Sequence, residues 1–415
     1  MATLQDTPSA NRLHIGVFGK TNSGKSTLVN GLTGQQMSIV SDIPGTTTDP
    51  VQKAMEIHPL GPCVVLDTPG FNDTTELGEA RVERTRLVAE KTDIAVVVFS
   101  AGELVGRSAS KEEMDGIFQQ EKHWIETFSN RKKPVLGILN KIDLANDREL
   151  EAFEAWYQDN WKEAPLPTSM EQPQIMDTIK EALARKMPED FGQRLITGDL
   201  VGKEDVVLLV MPQDIQAPKG RLILPQVQTL RELLDKKCIV LSVTTDQLEH
   251  ALVALKNPPK LIITDSQVFG FVYEHKPAGS MLTSFSVLFA AYKGDLPYYL
   301  EGAKAIDSLT PNSRVLIAEC CTHAPLQEDI GRVKIPRMLQ KRYGASLTID
   351  HVSGTDFPKD LSDYDLIIQC GACMFNRTYV MARVDRAKRQ QVPMTNYGVT
   401  IAHLTGILDK VVAPS

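Results

Sequence analysis

The stretch Gly19-Lys20-Thr21-Asn22-Ser23-Gly24-Lys25-Ser26-Thr27 constrains this chain more than any other. It carries GxxxxGKS between an apolar run, HIGVFG, and a segment of helical periodicity, STLVNGLTG. Glycines in such a turn let backbone N–H groups curl around phosphate oxygens, with a helix N-terminus behind them. Lys25 can reach the β- and γ-phosphates, and the Ser26 hydroxyl can ligate Mg²⁺. Strand, phosphate loop and helix in succession demand a crossover, and hence a parallel sheet.

The rest of the front segment keeps that alternation. CVVLDTPG, IAVVVFSA and PVLGILNKIDL read as strands, with EARVERTRLVAEK and KEEMDGIFQQEKHWIETF as helices between them. A polar stretch, MPEDFGQRLITGDLVGKED, then precedes DVVLLVMP (strand), LPQVQTLRELLDKK (helix), CIVLSV (strand), DQLEHALVALK (helix) and KLIITD (strand). After EHKPAG come the apolar helix SFSVLFAAY, strand RVLIAE, helix IPRMLQKRYG, strands SLTIDHV and DLIIQ, and helices TYVMARVDRAKRQ and VTIAHLTGIL. The expected fold is α/β throughout: a P-loop GTPase domain at 1–188, a small α/β docking or dimerisation domain at 189–273, and a third α/β domain at 274–415. A chain of 415 residues is long enough for two or three cores.

Charge and hydropathy narrow the surroundings. A net charge of −7 argues against a sequence-wide grip on nucleic acid. No apolar run is long enough for a membrane span, and MATLQDTPSANR lacks the apolar core of a signal peptide. The reading is cytoplasmic, with no membrane and no nucleic-acid partner. Among six cysteines, Cys63 and Cys238 lie in apolar strand runs and read as buried small hydrophobes. Cys320, Cys321, Cys370 and Cys373 fall in two pairs that need another explanation.

Two further motifs make the nucleotide a guanine nucleotide, GTP or GDP. Asp67-Thr68-Pro69-Gly70 ends a strand, where Asp67 can hold Mg²⁺ through water and the Gly70 N–H can sense the γ-phosphate. Asn140-Lys141-Ile142-Asp143 ends another, and the Asp143 carboxylate can accept from N1–H and the 2-amino group of guanine, donors that adenine lacks. All three motifs stand at C-terminal strand ends, the edge where open α/β sheets bind ligands.

On these motifs the front domain resembles the Era/TrmE-like branch of translation-factor-type GTPases. The resemblance makes Gly45-Thr46-Thr47-Thr48-Asp49 the first switch, with Thr47 a Mg²⁺ ligand, and puts Asn22 where potassium-activated members hold K⁺. Phe71 stands where Ras-like proteins carry a water-orienting Gln, so K⁺ and a switch acid, with Glu76 and Glu79 as candidates, would substitute for it. Thr168-Ser169 is the counterpart of the last guanine-contacting loop.

The thiols admit several chemistries. Cys370-Gly371-Ala372-Cys373 follows LIIQ, and alone it suits a redox dithiol, half a zinc site or cluster ligands. Cys320-Cys321-Thr322-His323 follows a second buried strand, so Cys321, Cys370 and Cys373 can converge on one sheet edge. Three thiolates repel unless a cation joins them, which favours a metal. Three Cys with His323 suit zinc; three Cys with a weak or absent fourth ligand suit an iron–sulfur cluster. Cys320, one residue along a strand from Cys321, is expected to face away.

Taken over its whole length, the chain resembles the FeFe-hydrogenase maturation GTPases, the HydF family: a GTPase domain, a small middle domain containing APKGRLILPQVQTLRE, then Cys-x-His and a distant Cys-x-x-Cys. The resemblance implies a 4Fe–4S cluster on Cys321, Cys370 and Cys373, and a scaffold that assembles or delivers the diiron precursor of the hydrogenase active site. It implies the FeFe-hydrogenase catalytic subunit and radical-SAM maturases as partners; the small middle domain itself points to a homodimer. Gln369 replaces the family's His before the Cys-x-x-Cys, leaving His323, Glu328, Asp329, water or the cargo to complete the fourth iron. Arg377, Arg383 and Arg386 read as solvated helix charges. Tyr292, Tyr298 and Tyr299 read as packing residues, and Met394–Gly398 as a border of the cluster pocket. Two other classes stand beside this one. An Era/TrmE-like RNA-modification or ribosome-assembly GTPase with structural zinc would need a basic domain after residue 190, which is not seen. A GTP-regulated thiol oxidoreductase would cycle a Cys370–Cys373 disulfide.

Overall fold

A computed structural model describes residues 7–34, 52–69, 78–107, 110–170, 172, 174–213, 222–320 and 329–414. The chain divides into two compact units, Met1–Gln193 and Arg194–Ser415.

The first unit is built on β1 (Leu13–Gly19), β2 (Gln52–Ile57), β3 (Gly61–Asp67), β4 (Ile94–Ser100), β5 (Val135–Asn140) and β6 (Leu166–Thr168), in the order β2-β3-β1-β4-β5-β6. All neighbours are parallel except β2, which runs antiparallel to β3. Every residue of β1 is buried, as a central parallel strand covered on both faces requires. β2 alternates exposed and half-buried residues and ends on buried Ile57, the pattern of an edge strand. Apolar cores cover both faces, one packed around Leu28 and Ile179, the other around Phe99, Phe118 and Phe153.

The segment expected as one long helix at 111–128 is two, Lys111–Ile117 and Gln119–Asn130. Phe118 leaves helical geometry at φ −106° and ψ 25°. Its ring is fully buried against Phe99 and Phe153, each at a centroid distance of 5.2–5.3 Å. The break therefore accommodates an aromatic core position.

The second unit carries two four-stranded, all-parallel sheets. One has the order β10-β9-β7-β8, from β7 (Val206–Val210), β8 (Ile239–Val243), β9 (Leu261–Thr264) and β10 (Met281–Ser284). The other has the order β12-β11-β13-β14, from β11 (Arg314–Ala318), β12 (Thr348–Val352), β13 (Leu366–Gln369) and β14 (Met394–Asn396). A boundary between 273 and 274 falls before the fourth strand of the first of these sheets, since β10 pairs with β9 along its whole length. Helix Phe285–Lys293 follows β10 directly, and its apolar residues divide between two cores. Phe285, Leu288 and Phe289 pack with β7 and β9, while Val287 and Ala290 pack with β11 and β13.

Among the described residues no helix is long and apolar enough to cross a membrane.

Helix Asp147–Trp161 starts from a reciprocal cap. Asn146 Oδ1 accepts from the Glu149 N–H and Glu149 Oε2 from the Asn146 N–H, each at 3.0 Å. Asn146→Ala is expected to cost about 1 kcal/mol, read as a lower unfolding midpoint of the first unit; an unchanged midpoint would show that the cap contributes nothing.

Candidate functional site

The strand ends of the first unit bring the sequence motifs together. Val17 pairs with Asp67, Ser100 with Asn140, and Asn140 with Thr168, so the phosphate loop after β1 shares an edge with the other motifs. Gly19 (φ 147°) and Gly24 (φ 103°) bound a loop that closes tightly on its surroundings. A Cβ on Gly24 would lie 2.1 Å from Asn140 Nδ2, and one on Gly19 would lie 2.5 Å from the Val98 carbonyl oxygen. Asn22 between them is left-handed at φ 64° and exposed, so its side chain stands clear of the core.

Lys25 opens helix Lys25–Thr33 and is buried, its Nζ donating to the Lys20 carbonyl at 2.6 Å. Burial lowers its pKa, against the pull of the Asp67 and Glu121 charges. Burial likewise raises that of Asp67, opposed by Lys25 and by the Thr68 backbone. Asp67 Oδ1 and Ser23 Oγ are buried without a hydrogen-bond partner, while the Ser26 and Thr27 side chains are exposed beside them. An unused carboxylate oxygen at this strand end suits a hard, hydrated cation such as Mg²⁺.

On the base side, Asn140 is buried and its Nδ2 donates to the Ser23 carbonyl at 2.9 Å, tying the base-reading motif to the phosphate loop. Lys141 is left-handed at φ 62° and turns the chain so that Asp143 is exposed in the short turn Ile142–Leu144. Thr168 Oγ1 lies 3.4 Å from Asn140 Oδ1, with buried Ser169 next in the chain. Thr47, Gly70, Phe71 and Glu76 lie outside the described residues, as does the side chain of Glu79.

One cluster here was not apparent from the sequence. Lys20 Nζ donates to Glu103 Oε2 at 2.6 Å and to the Ile117 carbonyl at 2.5 Å, and it lies 3.9 Å from Glu121 Oε2. Glu121 is 1% exposed, and its Oε2 has no hydrogen-bond partner. Nothing in QQEKHW separates it from a solvated helix acid.

In the second unit, β11, β13 and β14 end side by side, with Ala318, Gln369 and Asn396 in register. The Cys370 N–H continues the ladder to the Ala318 carbonyl at 3.0 Å. Cys370 Sγ accepts from the Cys320 N–H at 3.1 Å and from the Ala372 N–H at 3.4 Å, the latter from a left-handed residue at φ 51°. A hydrogen bond with the Cys320 side chain does most to lower the Cys370 pKa, opposed by burial and aided by these two amides. Cys320 therefore faces the site rather than away from it. β11 stops at Ala318 and the chain bends, so strand alternation no longer governs residue 320.

Arginines 383 and 386 are also not solvated: both are buried, and Arg383 is 1% exposed. Arg386 Nη1 donates to the Phe357 and Pro358 carbonyls. Helix Arg377–Arg389 turns these residues toward Phe357, whose ring takes both guanidinium groups. Gln369 is 1% exposed, with neither amide atom hydrogen-bonded. Asp329 spends Oδ1 on the Arg332 N–H, capping the turn that follows. Tyr299 packs in the core, and Cys63 and Cys238 are buried. Cys321, His323 and Glu328 lie outside the described residues, and among the described residues no three Cys, His, Asp or Glu side chains gather as a metal site.

Phosphate loop, strand-ending acid and Asn-Lys-x-Asp on one parallel edge define a P-loop GTPase unit, and the 50S ribosome-binding GTPase model matches residues 14–141. The second unit matches two further models. These are the hydrogen maturase F dimerization domain over 196–294 and its tetramerization domain over 297–414, together just over half of the chain. The chain belongs to the hydrogen maturase F (HydF) family.

Among curated relatives, GTPase Der of Wolinella succinogenes is 32% identical over 205 residues, 48% of this chain and 40% of that protein. The tRNA modification GTPase MnmE of a Nostoc species is 30% identical over 172 residues, 41% of this chain and 34% of that protein. GTPase Era of Heliobacterium modesticaldum is 30% identical over 178 residues, 42% of this chain and 55% of its own length. The chain thus spans roughly a third to a half of these relatives. A solved structure of Era in complex with MgGDPNP and a segment of 16S ribosomal RNA aligns with a TM-score of 0.34 at 21% identity, over 56% of this chain and 92% of that one.

Burial pushes the Glu121 carboxyl up to about 7, against Lys20 and with the Glu103 charge adding to the rise. An unfolded Glu titrates near ~4.3, so the folded chain holds an extra proton between these values. The stability this contributes is complete below the unfolded value and is lost as pH rises through 7. The loss is on the order of 3 kcal/mol. Glu121→Gln is expected to flatten the fall in first-unit stability between pH 5 and 8, measured by urea unfolding. Equal slopes in the two proteins would show that Glu121 is ionised throughout.

Proposed function

We propose that this chain is a GTP-hydrolysing scaffold that holds a 4Fe–4S cluster and assembles or delivers the diiron precursor of the FeFe-hydrogenase active site. The observation that carries the reading is the second unit: two hydrogen maturase F domains whose last sheet ends in a hydrogen-bonded cysteine.

In the front unit, the loop Gly19–Thr27 would cradle GTP, with Lys25 on the β- and γ-phosphates. Ser26, Thr47 and, through water, Asp67 would hold Mg²⁺, and the Gly70 N–H would sense the γ-phosphate. Asn140, Lys141, Asp143 and Ser169 would read guanine. Asn22 would hold K⁺, which together with a switch acid would stand in for the water-orienting Gln whose place Phe71 takes. Hydrolysis on this reading is slow and K⁺-stimulated, and its switches bias contact with radical-SAM maturases and the hydrogenase catalytic subunit.

In the second unit, Cys321, Cys370 and Cys373 would ligate the cluster, with His323 a candidate fourth ligand. Amide donors to the Cys370 sulfur suit a thiolate bound to iron. A bound cluster would supply an iron with an exchangeable position for cargo. The dimerization and tetramerization domains support a homo-oligomer, a homodimer at least.

Anaerobic reconstitution with iron and sulfide, followed by EPR of the dithionite-reduced protein, tests the scaffold. The expected result is a 4Fe–4S signal in wild type that is lost or strongly altered in Cys370→Ala. One zinc per chain and no cluster would overturn the reading and favour an RNA-associated GTPase. For the nucleotide site, Asp143→Asn is expected to shift preference from GTP toward the xanthine nucleotide, because an amide can donate to the 2-oxo group; unchanged preference would remove Asp143 from base reading. GTP hydrolysis in KCl is expected to exceed that in NaCl, and equal rates would remove Asn22 from cation binding.

A further inference from the structure

Two cations are buried around the cysteine loop. Lys293 is 2% exposed and donates to the carbonyls of Ala372 at 3.4 Å, Cys373 at 3.2 Å and Phe375 at 2.8 Å. Arg383 Nη1 lies 3.6 Å from Cys320 Sγ, and its Nη2 donates to the Gly354 carbonyl. Its guanidinium stacks over Phe357, Phe375 and Tyr379 at 4.9, 5.5 and 5.0 Å, while Nε has no partner. Neither cation meets a carboxylate among the described residues. Asp295, two residues on from Lys293, pairs with Lys388; Glu319, beside Cys320, holds Arg332 and Tyr397; and Asp385, two residues on from Arg383, is exposed. Carbonyls and aromatic faces solvate a cation but do not neutralise it. An uncompensated buried charge is among the costliest features a fold can carry, so a sequence that keeps two at one spot has an anion for them.

Lys293 thus grips the loop that carries Cys370 and Cys373. Arg383 reaches the same thiols from the other side, through Cys320 Sγ, whose own N–H donates to Cys370 Sγ. Beside them Gln369 adds a buried amide with both atoms free. We infer that the thiol site is built for a net-anionic occupant, a metal–thiolate group, and that Lys293 and Arg383 are its counter-charges. This rests on the reading of Cys370 and Cys373 as metal ligands. It adds that these cations stabilise the more negative of the occupant's two oxidation states, and so raise its reduction potential. They are positioning residues, since they act through the ligand loop and its field.

The test uses the full chain as wild type, Lys293→Met, Lys293→Arg and Arg383→Lys, each checked for wild-type circular dichroism. After anaerobic reconstitution with iron and sulfide, iron and sulfide per chain are counted. The midpoint potential is then followed by EPR during a dithionite titration, in which each electron added raises the occupant's negative charge by one. Lys293→Met is expected to hold the same iron at a more negative midpoint, and the two charge-keeping variants to stay near wild type. A folded, fully loaded Lys293→Met with the wild-type midpoint overturns the inference while leaving the scaffold intact.

If wild type takes up no iron, the scaffold reading fails on its own, and Co²⁺ alone becomes the probe. Co²⁺ bound there takes its ligands as thiolates, whose charge faces the same two cations. Its affinity is then expected to fall on the order of tenfold in Lys293→Met but not in Lys293→Arg. Equal Co²⁺ affinities, or no Co²⁺ uptake by wild type, would overturn it.

Discussion

Parallel pairing of β1, β4 and β5 leaves their side chains no exit on either face. β11 and β13, whose described residues are almost wholly buried, repeat the arrangement in the second unit. Chemistry on such sheets is therefore confined to the C-terminal ends of the strands, where the backbone leaves the ladder and polar groups need partners. The phosphate loop after β1, Asp67 after β3 and Asn140 at the end of β5 occupy one such edge. Cys320 and Cys370, just past β11 and β13, occupy another.

At both edges a buried charge is held by groups that do not fully satisfy it. Lys25 rests on a loop carbonyl near an Asp67 oxygen with no partner, and Lys20 faces an unpartnered oxygen of Glu121. Lys293 rests on three carbonyls behind the cysteine loop. Burial depresses Lys25, brings Lys293 down to about 8 against the pull of the three thiols, and raises Asp67. Such incomplete satisfaction is a cost in the folded chain and a source of affinity for whatever completes it.

The sequence made the α/β class and the three nucleotide motifs legible, because glycines, strand-ending acids and apolar runs are local signals. Edge strand β2 and the short strands β6, β10 and β14 were missed, since three- or four-residue strands carry too little periodicity, and β2 alternates on a weakly apolar background. Helix Asp147–Trp161 is marked in the sequence chiefly by its capping signal, NDRE. Cys320 breaks the strand alternation because β11 ends at Ala318, two residues before it. Arg383 and Arg386 look solvated in a sequence rich in basic residues, and only the ring of Phe357, distant in sequence, reveals their burial. Glu121 and Lys293 carried no signal, since their partners are brought to them by tertiary packing.

Helix Phe285–Lys293 gives the second unit one further property. It sends Phe285, Leu288 and Phe289 into one sheet's core and Val287 and Ala290 into the other's, and its last residue holds the cysteine loop. Cutting the chain after 294, where one family domain ends, would strip β11 and β13 of a wall and the cysteine loop of its lysine together. Two modules that are separable in sequence thus share one wall, and melting of either sheet would uncover the other's core and release the lysine that holds the thiol loop.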